Sequence, residues 1–152
     1  MPEIAIVDTS ALIALEKINL LDILCRLYEK IIVPEAVANE FGALTIDCYS
    51  VRKVKSPLVR LLVNDLNLGK GESEAIAVAR ETNIRIIIDD LKARKVAETL
   101  ELNVTGTIGI LLKAENMALI KSAYDKAKEL RGKGFYVSDQ LIDSMSKFKT
   151  SG

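Results

Sequence analysis

The residues best suited to chemistry in this 152-residue chain are carboxylates that follow two apolar segments. Asp8 closes the apolar run at residues 4–7, and Asp89 and Asp90 close the run at 86–88. Buried parallel strands deliver such side chains to the carboxyl edge of a sheet, the usual ligand crevice of open α/β folds. The chain has no histidine, which excludes histidine-based catalysis and histidine-ligated zinc. The carboxylates that remain are typical ligands of Mg²⁺ and Mn²⁺.

Further acids lie between these two segments. Glu40 is near the end of a predicted helix, and Glu72 and Glu74 open an alanine-rich one. Taken singly, each is explained as a solvated residue or one that stabilises a helix N-terminus. For Asp8 alone, an N-cap and a catalytic residue are equal alternatives. The adjacent acids at 89–90 repel each other, however, and a bound cation removes that repulsion. The pair therefore favours a metal site.

The charge balance limits how the chain can contact nucleic acid. Basic and acidic residues number 21 each, so the formal net charge is zero, and any contact must come from local patches. Arg94 follows Asp90 by one helical turn, where it can pair with a site carboxylate or a phosphate. The other candidates for RNA contact are Ser10, Lys53 and Lys92, and ordinary solvated charge is the competing explanation for the lysines.

The cysteines and apolar runs give no sign of export or membrane insertion. Cys25 and Cys48 have neither zinc-ligand nor CxxC spacing, and two lone cysteines do not make a disulfide framework. The first residues lack the basic start and apolar core of a signal peptide. No apolar run approaches the length needed to span a bilayer. We therefore predict a cytoplasmic protein without membrane contact.

Apolar runs and amphipathic segments alternate along the chain, which predicts a parallel sheet covered by helices on both faces. Strands are expected at residues 4–7, 31–33, 84–88 and 102–104, with a short edge strand at 135–137. Helices are expected at several positions, including 20–29, 58–62 and 118–130. Residues 43–56 fit a loop or an irregular helix. Without repeats or linkers, the prediction is one α/β domain over residues 1–150.

Several of these segments resemble a known family. Residues 7–13, 33–40 and 88–90 resemble motifs of the PIN domain family of metal-dependent ribonucleases, and residues 69–76, 89–97 and 106–111 resemble its prokaryotic DUF3368 branch. The resemblance implies a three-layer α/β/α sandwich around a central, mostly parallel sheet. It also implies an acidic site for one or two Mg²⁺ or Mn²⁺ ions. For many relatives it implies a toxin of a toxin–antitoxin pair, often a homodimer.

Matched position by position, the resemblance implies that the catalytic and metal-binding acids are Asp8, Glu40, Glu72 and Asp90. Asp89 is an additional metal ligand typical of the branch, and Glu74 is an alternative to Glu72. Many members have Thr or Ser two residues before the last acid, whereas this chain has Ile88. A hydroxyl contact from that position is therefore not expected.

The chemistry of these residues suits phosphodiester hydrolysis, because a metal ion can both activate water and stabilise charge on a phosphate. Together with this chemistry, the resemblance implies endonucleolytic cleavage of single-stranded RNA and, if the chain is a toxin, an antitoxin protein as partner. The alternative is a PIN-fold module that binds nucleic acid or protein without cleaving it.

Overall fold

Strands and helices alternate along the part of the chain that the computed structural model describes. It covers residues 3–150, with side chains to residue 147, so residues 1 and 2 of the predicted domain lie outside the described residues. Within that range the strands are β1 Ile4–Val7, β2 Lys30–Pro34, β3 Tyr49–Arg52, β4 Arg85–Ile87 and β5 Val104–Thr105. The helices are α1 Thr9–Lys17, α2 Leu24–Leu27, α3 Glu35–Phe41, α4 Pro57–Asn64, α5 Lys70–Thr82, α6 Leu91–Thr99, α7 Thr107–Asn116, α8 Ala123–Gly132 and α9 Asp139–Thr150. None of these helices combines the length and hydrophobicity required to cross a membrane.

The five strands form one parallel sheet in the order β3-β2-β1-β4-β5. This confirms the predicted three-layer α/β/α fold. The chain progresses outward from β1 through β2 to β3, then returns and progresses the other way through β4 to β5. The junction of β1 and β4 is therefore the topological switch point, where open α/β sheets bind ligands. The register pairs Val7 with Ile87, so the acids that follow both strands reach the same edge.

The core lies on both faces of the sheet. Ala5 and Val7 of β1 pack on the layer that contains α1, α2, α3 and α7. Ile6, between them, packs on α4, α5 and α6. All three side chains are fully buried, which explains why the strand is continuously apolar rather than alternating. A third cluster joins α8 and α9 to the outer side of α1 and α7.

The edge strand β3 was not predicted as a strand. It lies inside the segment 43–56, where the expectation was a loop or an irregular helix. Its first two residues, Tyr49 and Ser50, are half-buried, and Val51 and Arg52 are exposed. An edge strand with so little burial lacks the apolar run that identifies a buried parallel strand.

Three other predicted elements differ from the structure. The expected edge strand at 135–137 is instead part of the loop between α8 and α9. The helix expected over 20–29 is a 3₁₀ turn, Leu21–Ile23, followed by the short α2. The helix expected from residue 118 begins at Ala123, because Ala118 has a φ of +61° and lies in a turn.

Cys25 in α2 and Cys48 just before β3 form a disulfide, with 5.7 Å between their Cα atoms. Sequence spacing did not indicate this pairing. The fold brings the two residues together, because β3 aligns beside β2 and the carbonyl of Cys48 accepts a hydrogen bond from Ile31 N–H at 3.0 Å. The bond therefore ties α2 to the sheet edge.

Candidate active site

Asp8 lies fully buried at the end of β1 and is the N-cap of α1. Its Oδ1 accepts a hydrogen bond from Ala11 N–H at 3.0 Å, and its Oδ2 accepts one from the Ser10 hydroxyl at 2.9 Å. Its own N–H donates to the carbonyl of Ile87 at 3.1 Å, which continues the pairing of β1 with β4. These contacts fix the carboxylate at the switch point.

Asp89 and Asp90 follow β4 and engage different helices. Both oxygens of Asp89 accept hydrogen bonds from Thr107, one from its N–H at 2.7 Å and one from its hydroxyl. Asp90 is the N-cap of α6, and its Oδ2 accepts a hydrogen bond from Ala93 N–H at 2.9 Å. Within the described residues, Oδ1 of Asp90 accepts no hydrogen bond. One carboxylate is thus anchored through both oxygens and the other through one.

Glu40 and Glu72 come from α3 and α5, which pack closely at Gly71. Glu72 Oε1 accepts a hydrogen bond from Gly69 N–H at 3.0 Å, and Glu40 Oε1 accepts one from the Thr9 hydroxyl at 3.4 Å. A Cβ atom at position 71 would overlap Glu40 Oε1. The glycine therefore leaves the room in which the end of Glu40 lies near the first turn of α5.

Glu74 serves the fold rather than the acidic edge. Its side chain is buried, and its Oε1 accepts a hydrogen bond from Ala36 N–H at 2.8 Å in the first turn of α3. Glu72, two residues earlier, lines the cavity described below. The geometry thus favours Glu72 over Glu74 as the site residue.

Asp8 and Glu72 are affected by the negative charges of the other acids. Burial raises the pKa of Asp8 to about 7, and the negative charges of Asp89 and Glu72 act in the same direction. Burial also raises the pKa of Glu72, and Asp90 and Glu40 add to the effect. The register of β1 with β4, the contact of Glu40 with Thr9 and the close approach of Glu40 to Gly71 place the five predicted acids at one edge of the sheet, in agreement with these charge effects.

A cavity of about 600 Å³ opens beside this group and is lined by three of its acids, Glu72, Asp89 and Asp90. Ser10 and Arg94, two of the residues predicted to contact RNA, also line it. A Cβ atom at Gly106 would lie 2.6 Å from Arg94 Nη1 and 2.9 Å from Asp89 Oδ1, so this glycine makes room for both side chains. Among the residues described, Arg94 forms no ion pair, and its guanidinium is available to an anion.

The two predicted lysines differ in position. Lys92 lies on α6 beside a second cavity, of about 520 Å³, that Arg94 also lines. Its positive charge opposes the rise in the pKa of Glu72, so it is near the acidic group. Lys53 is exposed after β3 and lines neither cavity.

The five carboxylates are the groups at this edge of the sheet that could bind a metal ion. Carboxylates are the ligands that hard cations prefer. No group of three or more Asp, Glu, Cys or His side chains within residues 3–147 is arranged to hold a metal ion. Mg²⁺, however, is commonly held by only one or two carboxylates together with substrate phosphates and water. The set therefore fits a cation that binds jointly with a phosphate.

Sequence reasoning missed two contributors to this site. Thr107, which holds Asp89, lies within the segment 106–111 that resembles the DUF3368 branch, but the sequence pattern predicts no role for it. A threonine in the first turn of a helix after glycine is the only signal, and it is a common one. Residues 135–138 of the loop after α8 also line the cavity. The sequence pattern predicts a strand at 135–137.

Two comparisons with known proteins bear on this site. The family model DUF3368, described as a PIN domain, matches residues 4–149. A comparison with curated proteins finds no match.

Proposed function

We propose that this chain, which belongs to the PIN domain family, is a metal-dependent endoribonuclease that hydrolyses phosphodiester bonds in single-stranded RNA. Proteins of this family are generally nucleases that use divalent metals. The observation that carries the proposal is the group of five neighbouring carboxylates at the switch point of the sheet. Such a group is costly to assemble without a cation, and it opens onto a cavity that also contains an arginine.

Mg²⁺ or Mn²⁺ would be held by carboxylates from the set Asp8, Glu40, Glu72, Asp89 and Asp90 together with the substrate phosphate, and it would supply charge stabilisation and a more acidic water. The chain's own residues do the remaining work. Arg94 binds the phosphate and offsets its charge. A carboxylate oxygen of Glu72 that does not contact the cation can orient the attacking water. Thr107 holds Asp89 in a fixed orientation.

The test is cleavage of a fluorescently labelled single-stranded RNA in the presence of Mn²⁺. The wild-type protein is expected to cleave, and EDTA is expected to stop it. Asp8→Asn and Glu72→Gln are expected to lower kcat by at least about 100-fold, since each removes a charged group from the reaction. Matched controls are Glu16→Gln, an exposed residue near the end of α1, and Glu74→Gln, which retains a hydrogen-bond acceptor for α3.

Full activity in Asp8→Asn or Glu72→Gln would overturn the assignment of the acids. An inactive wild-type protein that still binds RNA would favour the alternative, a PIN-fold binding module without cleavage. A specific observation supports that alternative: every one of the five acids already accepts a local hydrogen bond. Metal binding distinguishes the nuclease from the binding module, and calorimetric titration with Mn²⁺ measures the affinity for the metal directly.

We extend the proposal to a toxin of a toxin–antitoxin pair that forms a homodimer. This part rests on the resemblance of residues 69–76, 89–97 and 106–111 to the DUF3368 branch. Expression in a bacterial host is expected to arrest growth, and Asp8→Asn is expected to relieve the arrest. Co-expression of a small neighbouring reading frame tests for an antitoxin, and sedimentation velocity tests for the dimer.

The proposal also includes a single domain over residues 1–150 and a cytoplasmic location, where RNA is available. The Cys25–Cys48 disulfide makes the location testable, because cytosolic proteins outside hyperthermophiles keep their thiols reduced. Titration of free thiols in protein from the native cytoplasm, trapped at lysis, measures this. Two reactive thiols are expected in a mesophilic host and none in a hyperthermophilic one.

A further inference from the structure

The cavity beside the acids has a second wall that catalysis does not use. Leu130, Phe135, Tyr136 and Leu141, from α8, the following loop and α9, line this wall, and Leu91 of α6 lies beside the acids. Tyr136 is 82% exposed and Leu91 is 70% exposed. We define the four residues from α8 to α9 as the apolar wall. One cavity thus joins carboxylates and an arginine to a hydrophobic surface.

The loop that carries Tyr136 is held at both ends. Phe135 N–H donates to the carbonyl of Leu130 at 3.1 Å, and Val137 is buried against the third core cluster. An ion pair of 2.6 Å between Arg131 and Asp139 bridges the two helices on either side. A large aromatic ring on an anchored loop, left in solvent beside a cavity, is available to a ligand at little cost in conformational entropy.

We propose that the apolar wall binds one unpaired nucleobase of the RNA substrate, with the Tyr136 ring as its stacking partner. The inference rests on the proposed function and adds a subsite to it. A nucleotide is the ligand whose parts correspond to this cavity: a phosphate for Arg94 and the cation, and a flat base for the aromatic ring. Cavities of roughly 300–1,000 Å³ are typical of small-ligand sites, and this one has about 600 Å³.

The same wall explains why the substrate should be single-stranded. Bases in a duplex are stacked and paired, so they cannot enter a side cavity without being extruded. Unpaired bases stack on protein aromatics with about 1–3 kcal/mol per base, largely regardless of sequence. The apolar wall therefore selects for strand state more than for base identity.

The experiment measures binding of a short fluorescein-labelled oligouridylate by anisotropy in EDTA, and KM for its cleavage with Mn²⁺. Tyr136→Ala is expected to weaken binding and raise KM by about 5- to 150-fold, which corresponds to the stacking energy of one base. Tyr136→Phe keeps the ring and is expected to retain most of the affinity. The matched control is Met117→Ala, which truncates a residue 50% exposed at the opposite end of α7 from Thr107.

A second RNA identifies the base as the ligand. Oligonucleotides that carry one abasic ribose, moved stepwise along the strand, are expected to include one that binds wild type and Tyr136→Ala equally. If Tyr136→Ala binds the intact RNA like wild type, the inference is overturned. If that variant instead converts a dimer into a monomer with RNA binding unchanged, the wall is an interface between copies, which also overturns it.

The outcomes separate this inference from the proposed function. If the wild-type protein and Tyr136→Ala cleave RNA equally well, only the base subsite is refuted. A wild-type protein that binds RNA through Tyr136 but never cleaves refutes only the nuclease. Absence of both binding and cleavage refutes both.

Discussion

Asp8, Glu72 and Asp90 each stabilise a helix N-terminus and also belong to the acidic group. The two roles are compatible because the backbone N–H occupies one carboxylate oxygen and leaves the second oxygen for other contacts. The capping contact therefore orients each of these acids, and it does not exclude a role for the same acid in the acidic group. The sequence pattern alone left cap and catalyst as alternatives, since both favour an acid just before a helix.

Asp8→Asn is predicted to stabilise the metal-free protein in a pH-dependent way. The pKa of Asp8 is about 7 in the folded protein and near 3.8 when the chain is unfolded. Between these values the folded state holds a proton that the unfolded state has released, so wild-type stability falls as pH rises from about 4 to 7. Asparagine does not titrate, and it keeps the capping oxygen. The variant should therefore be more stable at pH 8, by an amount on the order of a few kcal/mol.

Thermal melts of both proteins in EDTA at pH 5, 6, 7 and 8 measure this difference. Other titrating groups are common to the two proteins, so the gap between them isolates Asp8. It should widen with rising pH and level off above pH 7. A gap that does not vary with pH would contradict the raised pKa.

At the scale of elements, sequence periodicity predicted the buried strands but not the exposed edge strand. The strands at 4–7 and 31–33 are continuously apolar, and the strand at 84–88 is apolar except for Arg85. Helices cover both faces of these strands, and each strand was predicted. The edge strand β3 has two exposed residues, so its pattern does not differ from that of a loop. The loop at 135–137 contains Phe, Tyr and Val, the composition of a strand, but it pairs with none of the strands in the described sheet.

Gly106→Ala is predicted to damage the site without unfolding α7. The backbone at residue 106 has a φ of −119°, which alanine adopts without strain, so the cost comes from the Cβ atom. That atom would displace the end of Arg94 and crowd Asp89. Cleavage should fall by up to about 100-fold, the effect of a displacement of about 1 Å in a catalytic group, while the melting temperature changes little.

Gly132→Ala is the matched control, because a Cβ atom there meets nothing within 4 Å. A double variant separates the causes further. If Gly106→Ala acts through Arg94, it should weaken RNA binding no further in the Arg94→Ala background. Additive losses of affinity would show that the glycine acts through another residue.

Reduction of the Cys25–Cys48 disulfide is predicted to lower stability while leaving cleavage intact. The bond closes a loop of 23 residues in sequence separation, and constraints of this kind typically contribute about 2–4 kcal/mol. Dithiothreitol should therefore lower the melting temperature by roughly 10 °C in a protein of this size. A Cys25→Ser/Cys48→Ser variant should melt at the lower temperature with or without reductant. Loss of activity on reduction would contradict the prediction, because neither cysteine lines the cavity.

At the scale of the whole molecule, the zero net charge and the acidic edge determine how RNA can bind. The net charge of zero gives the chain no overall long-range attraction for RNA, and the charged carboxylates weaken phosphate binding where no cation is present. Affinity must therefore come from short-range contacts: a few basic side chains, the metal and the apolar wall. Sequence composition predicted the neutrality, but only the fold shows that Arg94 and Lys92 lie beside the acids while Lys53 does not.

This arrangement predicts a weak salt dependence of RNA binding with a defined origin. For single-stranded nucleic acid, the slope of log K against log salt is about −0.7 for each phosphate neutralised. With Arg94 and Lys92 near the site, the wild-type slope should be about −1.4, far smaller than for a basic RNA-binding protein. Arg94→Gln should reduce its magnitude by about 0.7, whereas Lys53→Gln should leave it unchanged. Anisotropy titrations at 50 to 300 mM KCl, with buffer and EDTA held constant, measure the three slopes. If Lys53→Gln reduced the magnitude of the slope as much as Arg94→Gln does, the RNA would have to contact the β3 edge of the sheet. That result would contradict the proposed binding of RNA beside Arg94 and Lys92 alone.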